Sequence, residues 1–177
     1  MIDRALSFRR GFTLIEVMVA VIVMGLLCGA VVLTFAGPIR RARMTEAIEQ
    51  VKYADASARD VARRFGREVE LVFDLSASRI ERREHGGPEA TFAANVPPPM
   101  RIEAVRTREG ETDYGQASVA ISPVGLSPTY AVKIAGPEGT RWILVTGLGG
   151  VTVVLANEAQ VERIFAATDA AARHDAH

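Results

Sequence analysis

The sequence predicts an α+β protein in which a long N-terminal helix packs on an antiparallel β-sheet domain. Three observations carry that prediction. Residues 12–36 form an apolar run broken only by Glu16. Beyond Gly37-Pro38, apolar residues recur at three- and four-residue steps as far as Phe65. From Arg67 onward the period drops to two, and short apolar segments alternate with glycine- and proline-marked turns as far as Leu155.

The apolar run comes first. A helix rises ~1.5 Å per residue, so about 24 apolar residues cross a ~30 Å hydrocarbon core with room for tilt. Arg4, Arg9 and Arg10 precede the run, against Asp3 alone. That charge bias holds the N-terminal end in the cytoplasm and places the bulk of the chain across the membrane. An ordinary secretory signal peptide has a shorter apolar region, ~7–15 residues, followed by its cleavage site. Here the small-residue junction, Gly11-Phe12, precedes the run. A plain anchor leaves Glu16 unexplained, because a carboxylate at the centre of a membrane helix costs roughly 2.5–3.5 kcal/mol on insertion scales, and less near an end. No Lys or Arg occurs between Phe12 and Ile39 to neutralise it. Its place near a helix N-terminus is favourable to the helix dipole.

The segment Arg9-Arg10-Gly11-Phe12-Thr13-Leu14-Ile15-Glu16-Val17 resembles the prepilin cleavage and methylation signal of type IV pilins and type II secretion pseudopilins. The resemblance implies that a prepilin peptidase cuts between Gly11 and Phe12, that Phe12 is then N-methylated, and that Glu16 pairs with the N-terminal amine of a neighbouring subunit. It also implies a pilin-like fold and other pilins or pseudopilins as partners. Arg9 and Arg10 are the leader charges. Glycine before the cut leaves the backbone open to a peptidase. Loss of residues 1–11 removes three basic groups and one acidic group, which takes the net charge from zero to about −2.

The second helical half carries Ile48, Val51, Ala54, Ala58, Val61, Ala62 and Phe65 on one stripe, with charged residues opposite. That is an amphipathic helix built to pack on a domain. Gly37-Pro38 predicts a kink or local break, and Gly66 a stop. Residues 69–75 alternate as a half-buried strand, and 78–83 form a partner strand centred on Ile80. Residues 85–99 read as a loop with a short strand near 91–94. Strands follow at 101–106, 116–122, 129–134, 141–146 and 151–155, with 109–115 as a polar turn. Turns at 123–125, 136–139 and 147–150 separate the later ones. Asn157 reads as a helix cap with Gln160 three residues on; Val161, Ile164 and Phe165 make a stripe, and the end frays after Ala172.

The boundaries expected are therefore a leader at 1–11, a membrane half at 12–36, an amphipathic half at 37–66, a β domain at 67–156 and a C-terminal helix and tail at 157–177. Residues 51–66 with the strand behind them, and Ile121-Ser-Pro-Val-Gly-Leu-Ser127, resemble the minor pseudopilin H/FimT family. The C-terminal helix departs from that family's β ending. The function implied is a structural subunit of a type II secretion pseudopilus in the inner membrane. The alternative is a minor type IV pilin for surface pilus assembly, motility or DNA uptake.

Other chemistry is poorly supported. Cys28, the one cysteine, lies in the apolar run and excludes an intramolecular disulfide. Gly147-Leu148-Gly149-Gly150 lacks the Lys-Ser/Thr ending and helix of a P-loop, and reads as a hairpin turn. His85, His174 and His177 form no ligand cluster with a cysteine, so neither metal nor other cofactor is expected. No serine is placed beside a histidine base, so the chain does not read as an enzyme. Asp55 and Asp113 read as solvated surface. Glu81 and Glu84 interleave with Arg79, Arg82 and Arg83, so nucleic acid is not an expected partner unless Arg101, Arg106 and Arg108 extend that patch.

Overall fold

A computed structural model describes the backbone of residues 13–84 and 90–174, with side chains described for these except 30–36, 91–93 and 169–174. The chain separates into two compact units, Met1–Ile39 and Arg40–His177. One helix, α1 (Leu14–Phe65), contributes to both. It passes through Pro38 without ending, so Gly37-Pro38 does not break it. A proline removes one backbone hydrogen bond and crowds one carbonyl, a local loss that helix on both sides can survive.

In the first unit the described side chains of α1, Glu16 apart, are apolar and exposed all round. Leu14 is 83% exposed and Leu27 62%. Among the described residues no helix is long and apolar enough to cross a membrane. The span expected at 12–36 begins at a residue outside the described set and ends in 30–36, whose side chains are not described.

The second unit holds the core. Strands follow α1 in the order β1 (Val69–Asp74), β2 (Arg79–Glu84), β3 (Ala90–Asn95), β4 (Arg101–Arg106), β5 (Glu111–Thr112), β6 (Gln116–Ile121), β7 (Tyr130–Gly136), β8 (Gly139–Val145) and β9 (Thr152–Leu155), and α2 (Glu158–His174) closes the chain. The β domain is two antiparallel sheets, ordered β3-β2-β1-β6 and β5-β4-β7-β8-β9. β5 is a two-residue strand inside the segment expected to be only a turn.

Ala47, Val51, Ala54, Ala58 and Ala62 are fully buried and recur along one face of α1. Their small side chains allow the helix close to the sheets, where they join Leu71, Phe73, Ile80, Ile121, Ile134 and Ile143 in the main cluster. Each large apolar side chain buried there contributes about 1.5–3 kcal/mol. Ile48 and Val61 pack at its margin. Phe65, expected on the same stripe, is 61% exposed. It is the last helical residue, and the chain turns away at once: Gly66 adopts φ 61° and the Arg67 N–H donates to the Ala62 carbonyl at 3.2 Å. That is a Schellman ending, which needs a left-handed residue such as glycine.

A second cluster covers the other face of the five-stranded sheet. Ala104, Ala131, Trp142 and Leu144 pack with Val161 and Phe165 of α2. α2 begins as expected, with the Gln160 N–H donating to Asn157 Oδ1 at 3.1 Å. It extends to His174, past the predicted fraying point.

Candidate functional site

The start of α1 is built by a capping box. Its first turn reads Thr13-Leu14-Ile15-Glu16, a Thr and a Glu three residues apart. The Glu16 N–H donates to Thr13 Oγ1 at 3.4 Å, and the Thr13 N–H and hydroxyl both donate to Glu16 Oε2 at 3.3 Å. Helix starts leave four N–H groups without partners, and this reciprocal pattern satisfies some of them. Glu16 thus has local donors, although it has no cation within reach along the helix. The sequence signal for it is Thr-x-x-Glu before an apolar run. Glu16 itself is exposed. Arg9, Arg10, Gly11 and Phe12 lie outside the described residues.

A second polar constellation lies at the core. Asp55 and Arg59 are 2% and 3% exposed, so the reading of Asp55 as solvated surface is corrected. Arg59 Nε donates to Asp55 Oδ2 at 2.8 Å, and the Tyr130 hydroxyl donates to Asp55 Oδ1 at 2.9 Å. The rest of the guanidinium reaches two turns at once. Nη1 donates to the carbonyls of Gly125 at 2.8 Å and Gly147 at 3.0 Å, and Nη2 donates to Ser127 Oγ at 2.7 Å. Gly147 has no room for a Cβ, which would meet the Ser127 carbonyl oxygen. Burial, then the Asp55 charge, pushes the Tyr130 hydroxyl well above its ordinary pKa, so it stays a neutral donor. No described buried side-chain polar atom lacks a partner. The network is satisfied within the chain, and it ties α1 to the turns before β7 and after β8. The i,i+4 spacing of Asp55 and Arg59 was legible, but their burial was not.

The remaining candidates disperse. Asp113 is exposed. The segment 147–150 is the β8–β9 hairpin turn, closed by the Gly150 N–H donating to the Thr146 carbonyl at 3.0 Å. His85 and His177 lie outside the described residues, as does the side chain of His174. Among the described residues no group of three His, Cys, Asp or Glu could hold a metal. Arg79 and Arg83 both pair with Glu81, at 3.2 and 2.8 Å. Their strand belongs to one sheet and β4 to the other, so Arg101 and Arg106 do not extend them by pairing. Arg106 instead lies 3.8 Å from both Glu111 and Glu162. A groove of about 570 Å³ runs between β6, the end of β4 and α2, lined by Thr107, Arg108, Ser118, Thr129 and Phe165 among others. Its described lining holds no histidine or cysteine.

Comparison with known proteins bears on the first of these sites. Residues 6–32 match the family model of the prokaryotic N-terminal methylation motif. No curated protein matches the chain. Among solved structures, the chain is similar to the minor pseudopilin EpsH from the Type 2 Secretion System of Vibrio cholerae, with 10% identity and a TM-score of 0.44 over 63% of this chain and 95% of that one. It is also similar to the type IV minor pilin FimU of Pseudomonas aeruginosa strain PAO1, with 11% identity and a TM-score of 0.47 over 66% of this chain and 90% of that one. The methylation motif thus leads into a long helix, and antiparallel sheets follow it in the chain, which is the α+β, pilin-like arrangement that the sequence predicts.

Proposed function

We infer that the chain is the precursor of a minor pseudopilin of a type II secretion system. Residues 1–11 form a cytoplasmic leader, 12–36 a single inner-membrane span, and the β domain lies in the periplasm. A prepilin peptidase cuts between Gly11 and Phe12, and Phe12 is N-methylated. The single observation that carries this reading is the methylation motif at residues 6–32. Two others support it. The described apolar side chains from Leu14 to Leu27 are exposed, and such a surface needs lipid or other apolar helices to cover it. Glu16 is exposed in the first helical turn, where a neighbouring subunit's amine reaches it without opening a packed core. Packing of apolar helices then excludes lipid, and the Glu16–amine pair sets the register of the filament. The β domain presents contacts to other pseudopilins and to exported cargo.

The test is the intact mass of the protein expressed with and without a prepilin peptidase, beside a Gly11→Ala form. A mature mass beginning at methylated Phe12, seen only with both peptidase and Gly11, is the expected result. An uncut chain, or a cut beyond the apolar run, removes the reading. Secretion and piliation assays in a deletion strain then separate a pseudopilin from a surface-pilus subunit.

A further inference from the structure

We propose that the end of the second unit that carries Arg40, Arg41 and Arg43 is a docking surface for anionic phospholipid headgroups. The proposal rests on the membrane-anchored reading above. The second unit begins at Arg40, and Arg40, Arg41 and Arg43 are all exposed on the first turn of its helix. The next turn brings in the sheet. A Cβ on Gly136 would meet Met100 Sδ and lie 3.4 Å from Met44 Cε, so the β7–β8 turn and the start of β4 flank this part of α1. Those two segments carry two more arginines. Arg101 opens β4 opposite Ala135, and Arg141 stands opposite Ile134, two positions from the turn. Both are exposed.

The charge there is poorly compensated. Of the five arginines only Arg43 has a carboxylate partner among the described residues, Glu46 at 3.3 Å. Of the other acidic groups near this end, Glu138 lies in the β7–β8 turn, and Glu103 of β4 is held by Lys133 at 3.4 Å. Elsewhere the unit behaves differently: Arg64, Arg67, Arg79 and Arg83 each lie within 4 Å of a carboxylate. Arg63 and Arg163 also lack a carboxylate within 4 Å among the described residues, but they stand singly, whereas four such arginines share this pole.

Chain connectivity says what lies within reach of that pole. Arg40 lies four positions beyond the end of the expected span, and in any conformation those four steps reach at most about 14 Å. The polar layer on each side of the hydrocarbon core is roughly 5–8 Å deep, so Arg40 and its neighbours lie in or beside it. Guanidinium groups bind phosphate in pairs of parallel hydrogen bonds, and basic groups at an anionic surface are attracted within a Debye length. The lipid surface would then hold the β domain down on the bilayer until assembly draws the subunit out.

The experiment uses the full chain in nanodiscs of phosphatidylcholine, alone or mixed with phosphatidylglycerol. Phenylglyoxal modifies accessible arginines, and peptide mass spectrometry reads the rate at each. The expected result is slowing of about fivefold at Arg40, Arg41, Arg101 and Arg141 in the anionic discs, reversed at high salt, with Arg64 and Arg79 unchanged. Equal rates in the two discs overturn the proposal. So does slowing confined to Arg40, Arg41 and Arg43, because position in the chain alone then accounts for it. Slowing in neutral discs that grows with protein loading assigns the surface to a second copy instead. A chain that fails to enter discs of either kind refutes the membrane span, a result distinct from all of these.

Discussion

Glu16 and Asp55 are carboxylates of the same helix in opposite circumstances. Asp55 is 2% exposed, in a helix face of buried alanines, and accepts hydrogen bonds from Arg59 and Tyr130 at 2.8 and 2.9 Å. Glu16 is exposed, in a stretch of exposed apolar side chains, and its recorded partners are the hydroxyl and amide of Thr13 at 3.3 Å. A buried charge is tolerable only when paired and hydrogen-bonded. Asp55 meets that condition inside its own chain. Glu16, placed in a membrane, meets it fully only with a cation from outside. One carboxylate is spent on folding, and the other, on the proposed reading, is left for assembly.

That contrast can be broken by mutation. Asp55→Ala leaves the Arg59 guanidinium buried without its anion and should cost about 3–5 kcal/mol, read as a lower urea midpoint of the full-length protein in detergent. Tyr130→Phe removes one donor from the same carboxylate and should cost about 1–3 kcal/mol. A loss in Tyr130→Phe as large as that in Asp55→Ala would show that the ring packing, not the ion pair, is what holds the helix to the turns. Asn157→Ala removes the cap of α2 and should cost about 1 kcal/mol, leaving the Asp55 network intact.

A smaller effect depends on pH. Ser76 Oγ, the Ala77 N–H and the Gln116 amide pull the Asp74 carboxyl from 3.8 down to about 2. Its folded pKa lies below its unfolded one, so the stability these bonds contribute is present above about 3.8 and is lost as pH falls towards about 2. Asp74→Asn should therefore differ from the parent at neutral pH and converge with it in acid, followed by thermal unfolding. Glu16→Gln comes last, with a change in unfolding within about 0.5 kcal/mol, since the site is exposed. Its loss should appear in filament incorporation, measured by pull-down with the other subunits. An unfolding shift comparable to that of Asp55→Ala would remove the distinction between the two carboxylates.

Much of the fold was legible because its signals are local. The change of period from 3.6 to two after Phe65, Gly66 as a helix stop, the Asn157 cap and the glycine turns all act within a few residues, and the structure places each where the pattern did. Three features were not legible. Period and turns fixed strands but not partners, so the division into two sheets stayed hidden. β5 gains its two residues only through pairing with β4. Phe65 kept the period of the stripe but fell at the helix end, where periodicity carries no information about what lies beneath.

The candidate site divides along the same line. Gly11, Phe12, Glu16, Arg9 and Arg10 were read from a contiguous motif, because the proposed processing would act on a short stretch of chain. The capping box at Thr13 was equally local and equally legible. The Asp55–Arg59–Tyr130 network was not, since Tyr130 lies far along the chain and no local pattern states that two charges will be buried together. The same holds for the basic pole, which exists only because Met44, Met100 and Gly136 bring three separate segments to one end. Sequence alone determined what depends on neighbours along the chain: the helix, its start and stop, the strands and the processing motif. Tertiary structure decided what depends on neighbours in space, because burial and the pairing of charge arise only when distant segments exclude water from one another.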